Sequence, residues 1–303
     1  MTVSAKVITD SFGEHSKRLT TLELEYPRFI HAEVMTHRVF SRNASSSRAI
    51  PTKRMHENIR NNPSLPESFR MNERGMQGYT EAPQAVVDQA LQIIAEHREF
   101  SIRTAERLDA LGLHKQNVNR YTEAHQHIKV VLTSCQWDNF DWLRIHHAAD
   151  PTMCALAEAI YAARAGSNPT KLQPGEFHLS YITPDDYVRV EQMENKGDLT
   201  DTQILLRMSA ARCARVSYNN FDGKPTSIEA DLALFAKLIE RGVDNFEPLH
   251  ASPVEHQATP DRFFPRVLQW DRPDLHGNLP GWVQHRMLIP NQNMEGTPWQ
   301  SPL

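Results

Sequence analysis

One stretch of the chain admits few folds. After Pro83, Val87, Leu91, Ile94, Ile102 and Ala105 recur at helical spacing through Leu111, and Gly112 marks the stop. An amphipathic helix of this length must lay its apolar stripe on a core, so the chain builds around long helices. A second helix is expected after Pro151, with Met153, Leu156, Ala157, Ile160 and Tyr161 on its apolar face and an end near Gly166. A third starts at Ser227, carries Leu232, Phe235, Leu238 and Ile239, and stops at Gly242. Val3 to Ile8 and Leu19 to Val34 mix β-branched and charged residues in loose alternation and read as strands. The sum is a mixed α/β or α+β protein.

Between these elements, Pro51 to Pro83 has no clear period and reads as a long connection. Asn168 to Gly197 is Pro-rich and polar, as at a module boundary. A length of 303 residues suffices for one large domain or two small ones. A net charge of -4 argues against a protein that coats nucleic acid through a global positive field, so anion binding must be local. No secretory signal and no membrane span is read. Cys135, Cys154 and Cys213 form no C-x-x-C pair and read as buried small hydrophobes, which fits a reducing cytoplasm.

Three segments could carry chemistry. In the first, Thr36 to Arg48, the arginines Arg38, Arg42 and Arg48 alternate with hydroxyls and Asn43, and no acidic residue occurs between Glu33 and Glu57. Phosphate recognition needs this mixture of guanidinium forks and neutral donors. The alternatives are a solvated basic loop or an RNA-contacting strip, the latter with Phe40 as its single stacking aromatic. The second runs from His114 to Arg120 and on through Trp137 to Arg144. Arg120 and Arg144 sit beside apolar or amide residues and need an anionic partner, either a ligand or Asp138, Asp141 or Asp150.

The third is His250-Ala-Ser-Pro-Val-Glu-His256, preceded by Ala214-Arg-Val-Ser217. Its two histidines suggest a metal, but the HExxH spacing is absent and Pro253 breaks a helical face, so no metal is expected. His146 and His147 are adjacent and point about 100° apart on a helix, which prevents their sharing one ion. No G-x-G and no G-x-S-x-G occurs, so any cofactor is held by a scheme other than the Rossmann, P-loop or hydrolase ones.

These segments together resemble the flavin-dependent thymidylate synthases. Their signature R-H-R-x-x-S-x-N-x-x-S-x-R-Y aligns with residues 36 to 49, T-H-R-V-F-S-R-N-A-S-S-S-R-A, matching at His37, Arg38, Ser41, Asn43, Ser46 and Arg48. His250 to His256 is similar to their H-x-[ST]-P-F-E-H, with Val254 for Phe. Leu143-Arg144 resembles the end of their Asn-containing helix, and Ala214 to Ser217 the segment that opens family members. The Ala214 to Ser217 and His250 to His256 elements normally precede the signature and here follow it, so the resemblance implies a circular permutation. Thr36, Ala49 and Glu33 depart from the family's Arg, Tyr and common Gln.

The resemblance implies an α+β fold with a central, mostly antiparallel sheet flanked by long helices in permuted order. Residues 1–303 would form one catalytic domain, with 1–166 carrying the nucleotide signature, 167–200 connecting, and 201–303 holding the FAD-binding module and tail. It implies FAD bound by His37, Arg38, Asn43, Asn139, Ser217, His250, Ser252 and Glu255. A pyrimidine deoxynucleotide would be held by Ser46, Ser47, Arg48, Arg120 and Arg144, with Ser46 and Arg144 polarising the base. Methylenetetrahydrofolate would supply the carbon, reduced FAD the hydride and NADPH the reducing equivalents, in a cytoplasmic homotetramer with no membrane or nucleic-acid partner. The expected reaction is dUMP to dTMP. The alternatives are hydroxymethylation of dUMP or dCMP, and a non-catalytic nucleotide- or RNA-binding relative.

Overall fold

The computed structural model describes residues 2–217, 226–245 and 249–293. Strands β1 (Ser4–Phe12) and β2 (Leu19–Pro27) form an antiparallel hairpin with a register shift between Val7 and Thr9. β3 (Ser41–Ala44) and β4 (His127–Ser134) extend it, and the two-residue β5 (Thr170–Lys171) lies parallel to β1. The sheet order is β3-β4-β2-β1-β5. The sheet is therefore mostly antiparallel, within an α+β architecture.

Pairing register decides which face each strand residue serves. Leu22, Leu24 and Tyr26 of β2 stand opposite Leu132, Val130 and Ile128 of β4, and all six are buried on one face. The intervening Thr21, Thr133 and Val131 face the other way. Both central strands are thus covered on both sides, and the alternation expected of a half-exposed sheet is missing from β4. That explains why no strand is read over 127–134 from sequence.

The remaining elements clothe this sheet. α1 (His31–Met35) follows β2 through a 3₁₀ turn, so the strand expected to run to Val34 ends at Pro27. α2 (Thr52–Asn61) occupies part of the expected long connection. α3 (Gln84–Ala110) is the expected first helix, capped at Leu111 and followed by Gly112 at φ 79°. Its buried side chains are confined to Ser101, Ile102 and Ala105, and Ile102 packs with Met55 and Ile59 of α2. The predicted stripe through Val87, Leu91 and Ile94 remains partly open.

After α4 (Lys115–Val118) and α5 (Asp138–Arg144) comes α6 (Pro151–Ala165). Asp150 caps α6 by accepting from Thr152 and Met153 N–H groups, and Pro151 stands in its first turn. Met153, Leu156, Ala157 and Ile160 pack on the Leu22–Tyr26 face, while Tyr161 is exposed.

α7 (Pro184–Glu191) lies within the stretch expected to be a boundary, behind a Thr183–Asp186 capping box. α8 (Asp201–Ser217) covers the opposite sheet face, where Cys213 and Val216 meet Val131. The third helix is α9 (Ile228–Phe235), a π-helical turn at Ala236–Glu240, and α10 (Arg241–Asn245). It passes through Gly242 instead of stopping there. Short pairs β6 (Ala258–Pro260) with β9 (Trp282–Gln284), and β7 (Phe263–Phe264) with β8 (Gln269–Trp270), complete the chain's C-terminal part. Of the cysteines, Cys135 and Cys213 are buried, Cys154 is partly exposed, and all are free. Among the described residues no helix is long and apolar enough to cross a membrane.

Candidate functional site

The signature segment crosses the sheet edge as β3, and its two ends serve different surroundings. At the N-terminal end, His37 is buried against Phe40 and Phe140, with ring centroids 5.6 and 4.9 Å away. Its Nε2 accepts a 3.0 Å hydrogen bond from Arg144 Nε. Burial, then the nearby Arg144 and Arg42 charges, push the imidazole pKa down, so the ring is neutral and able to accept. Arg144 also pairs with Glu33 at 3.0 Å and reaches Thr36 Oγ1 at 3.3 Å. Glu33 and Thr36, two of the departures from the family pattern, are the partners of this arginine. Arg42 turns back from β3 and donates to the carbonyls of Val34, Met35 and His37, closing the end of α1.

At the other end the chain leaves the sheet in a turn whose shape is fixed from below. Asn119, fully buried, donates to the carbonyls of Ser47 and Ile50 at 2.7 and 2.9 Å. Lys115 Nζ donates to Ala49 O at 2.9 Å, and Ser47 Oγ to Glu123 at 3.2 Å. Ser47 therefore faces inward, while Ser46 and Arg48 face out. Arg48 makes no hydrogen bond or ion pair with any described residue.

The third segment docks beside this turn. Ser252 opens a short 3₁₀ helix, Ser252–Glu255, and its hydroxyl donates to Asn43 Oδ1 at 2.9 Å. Asn43 Nδ2 in turn donates to Cys213 O of α8 at 2.6 Å. One buried carboxamide thus ties the signature strand to α8 and to the His250 segment. Glu255 is ion-paired with Arg286, and Gln284 Nε2 donates to Glu255 O at 2.8 Å and Ser41 Oγ at 3.2 Å. Burial pushes the Glu255 carboxyl pKa up, against the pull of Arg286 and Arg42. Gln284 of β9 and Arg286 of the turn after it supply these contacts.

Between these parts lies a cleft of about 530 Å³. Asn43, Ser46 and Arg48 line it from the first segment, His114 and Gln116 from the second, His250 and Ser252 from the third. Among the described residues no carboxylate lines it. A guanidinium with no described partner, hydroxyls, carboxamides and imidazoles form a site for an anion with a polar body. The sequence signal for His114 and Gln116 was their place in the second segment, and nothing in their spacing set them apart.

Other predicted residues lie away from the cleft. Arg120 is 55% exposed and pairs with Glu123 at 3.1 Å. Arg144 is held as described by Glu33, not by Asp138, Asp141 or Asp150. Asp141 pairs with Arg164 instead, and Asp150 caps α6. Asn139 is exposed on α5, Arg38 is exposed after α1, and Glu255 is engaged by Arg286. The Ser217 side chain lies outside the described residues. His256 is buried, with Nδ1 2.8 Å from Thr133 Oγ1, whereas His250 stands at the cleft. Among the described residues no group of three or more His, Cys, Asp or Glu is placed to hold a metal ion. The positions that the resemblance implies for a flavin therefore divide in one chain. Asn43, His250 and Ser252 gather at the cleft, while His37, Arg38 and Asn139 do not line it.

The sequence matches no protein-family profile and no curated protein. Solved structures resemble part of the chain, two of them as follows. One is a UMP/dUMP methylase, PolB from Streptomyces cacaoi, bound with 5-Br UMP. It is 15% identical, with 54% of this chain and 88% of that one covered and a TM-score of 0.43. The other is the same methylase bound with 5-Br dUMP, at 12% identity, 54% and 90% coverage and a TM-score of 0.42.

Proposed function

We propose that the cleft binds a pyrimidine deoxynucleotide and that the protein methylates dUMP to dTMP by flavin and folate chemistry. The observation that carries this reading is the meeting of three segments, separated by up to about two hundred residues, at one cleft where Arg48 has no partner and no carboxylate stands among the described residues. These are the segments whose motifs resemble the flavin-dependent thymidylate synthases. Arg48 would take the phosphate, with Gln116 and His114 beside it, and Ser46 would polarise the base. A permuted element order accounts for the sequence distance between parts that pack together.

Reduced FAD would supply the hydride and methylenetetrahydrofolate the carbon, with NADPH as reductant. One chain fits the flavin only in part, because His37, Arg38 and Asn139 do not line the cleft. We infer that a second copy completes the site, in the homotetramer that the resemblance implies. Exposed Met35, Val39 and Trp142 lie close in sequence to Arg38 and Asn139, and exposed apolar side chains of this size are common at subunit contacts. Arg144 would act from the same place, oriented by Glu33 and His37.

Two readouts test the proposal. The purified protein should bind FAD, and dUMP should bind to it in a calorimetric titration. Arg48→Ala should weaken dUMP by about 10- to 100-fold, the loss of a charge-assisted contact of about 1.5–3 kcal/mol. Unchanged dUMP affinity in that variant would remove the cleft from the account.

A further inference from the structure

We propose that a second cleft, on the opposite side of the signature turn, binds a small phosphorylated molecule rich in hydroxyls, such as a pentose phosphate. The proposal does not depend on the reading of the first cleft. Residues along the turn divide between the two. Ala44, Ser46, Arg48 and Ala49 line the first, and Ser45 and Ile50 line the second. Ser45 continues the β3–β4 pairing, its N–H donating to Lys129 O at 2.8 Å and its hydroxyl accepting from Lys129 N–H at 3.1 Å.

The second cleft, about 370 Å³, runs between α2 and the adjoining ends of β2 and β4. α2 buries Met55 and Ile59 with Ile50 and Ile102. Arg54, Asn58 and Asn61 follow at spacings of four and three, so they share the neighbouring helix face, and Asn62 continues it. All four line the cleft, and their side chains make no hydrogen bond or ion pair with any described residue.

Across from them stand Glu25, Lys129 and His127. Glu25 and Lys129 approach each other at 3.7 Å and largely offset one another, so Arg54 is the uncompensated charge. His127 Nδ1 lies 3.2 Å from Asn62 O, and since a carbonyl can only accept, that nitrogen carries the ring proton. Nε2 is then an acceptor, shielded from solvent and without a partner among the described residues.

This inventory selects a ligand class. Three carboxamides, each able to donate and accept, and a carboxylate match a run of hydroxyls, whose oxygens also do both. One free guanidinium matches one phosphate. A bare anion would leave the carboxamides unused, and an apolar ligand would strand them. The volume lies within the range of small-molecule sites.

The test is calorimetric titration of the full chain with ribose 5-phosphate, inorganic phosphate and adenosine 5′-monophosphate. Ribose 5-phosphate should bind saturably, with the same affinity in Arg48→Ala, and at least about tenfold more weakly in Asn58→Leu/Asn61→Leu. Tighter adenosine 5′-monophosphate would assign the cleft to the ribose phosphate of a nucleotide. Tighter ribose 5-phosphate would assign it to a free sugar phosphate, and both support the proposal. No saturable binding, equal affinity for inorganic phosphate, undiminished binding in the double variant, or loss in Arg48→Ala would each overturn it. If the double variant melts early, Arg54→Gln at an exposed position replaces it, with the same expected loss.

Discussion

Arg144 illustrates what a sequence can and cannot disclose about one residue. Its isolation among apolar and amide neighbours showed that it needs an anionic partner, and the nearby aspartates were the natural candidates. The partner is Glu33, 111 residues away, brought close because α5 and α1 flank the same aromatic cluster around Phe140. Glu33 and Thr36 looked like losses to a ligand shell, yet both hold this arginine. With Glu33 39% exposed, the pair is partly screened and contributes modestly. A double-mutant cycle of Arg144→Ala and Glu33→Gln, followed by urea unfolding, should give a coupling of about 0.5–1 kcal/mol. A coupling near zero would leave the pair without energetic meaning. Arg48, by contrast, has no acidic neighbour in sequence and no ion pair among the described residues.

At the scale of elements, legibility followed start and stop residues. α6 was read from Pro151 to an end near Gly166, though not its Asp150 cap, and α3 was read from Pro83 to Gly112 although much of its stripe is open. α8 escaped because it is buried nearly all round, from Ile204 to Val216, so no polar face marks its period. α2 escaped because its unburied face is made of Arg, Asn and Lys behind a proline. The anchor of α8 is equally invisible in sequence. Arg212 donates to Asp186 at 2.6 and 2.8 Å, to Asp231 at 2.9 Å and to Tyr181 O at 2.7 Å, tying α7, α8 and α9 together. Burial raises the Asp186 carboxyl, but the Arg212 and Thr183 bonds outweigh it and hold the pKa at about 2. Arg212→Met would leave Asp186 and Asp231 buried with only the more exposed Arg189, at 3.4 Å, and Arg215, at 3.1 Å, as cations. It should cost about 3–5 kcal/mol in chemical denaturation, far more than the exposed Arg144 pair. A cost below about 1 kcal/mol would show that α8 is held by its apolar contacts alone.

For the whole molecule, the layer between the sheet and the C-terminal part is polar where a core would be expected to be apolar. His178 bridges Thr21 and Ser11 at 2.8 and 3.0 Å, Thr21 meets Thr133 at 2.6 Å, and Thr133 meets His256. Burial drives both histidines down from 6.5 to about 3, so the folded protein keeps them neutral. Below pH 6.5 the unfolded chain binds protons that the native state refuses, so their contribution is present above that pH. It is lost progressively as pH falls toward 3, at up to about 1.4 kcal/mol per pH unit for each ring. Asp186 adds a further loss between 3.8 and about 2. Unfolding free energy measured from pH 7 to 4 should therefore fall steadily, and His178→Gln should flatten the slope. A pH-independent stability across that range would contradict the neutral assignment. The same layer seats the His250 segment against the signature strand, on which the proposed chemistry depends. The most direct test is the mass of the nucleotide recovered after the protein is incubated with dUMP, methylenetetrahydrofolate, FAD and NADPH. The account predicts a product heavier by one methyl group and loss of that product in Arg48→Ala. A hydroxymethylated product, or dUMP recovered unchanged from protein that has bound both flavin and nucleotide, would contradict it.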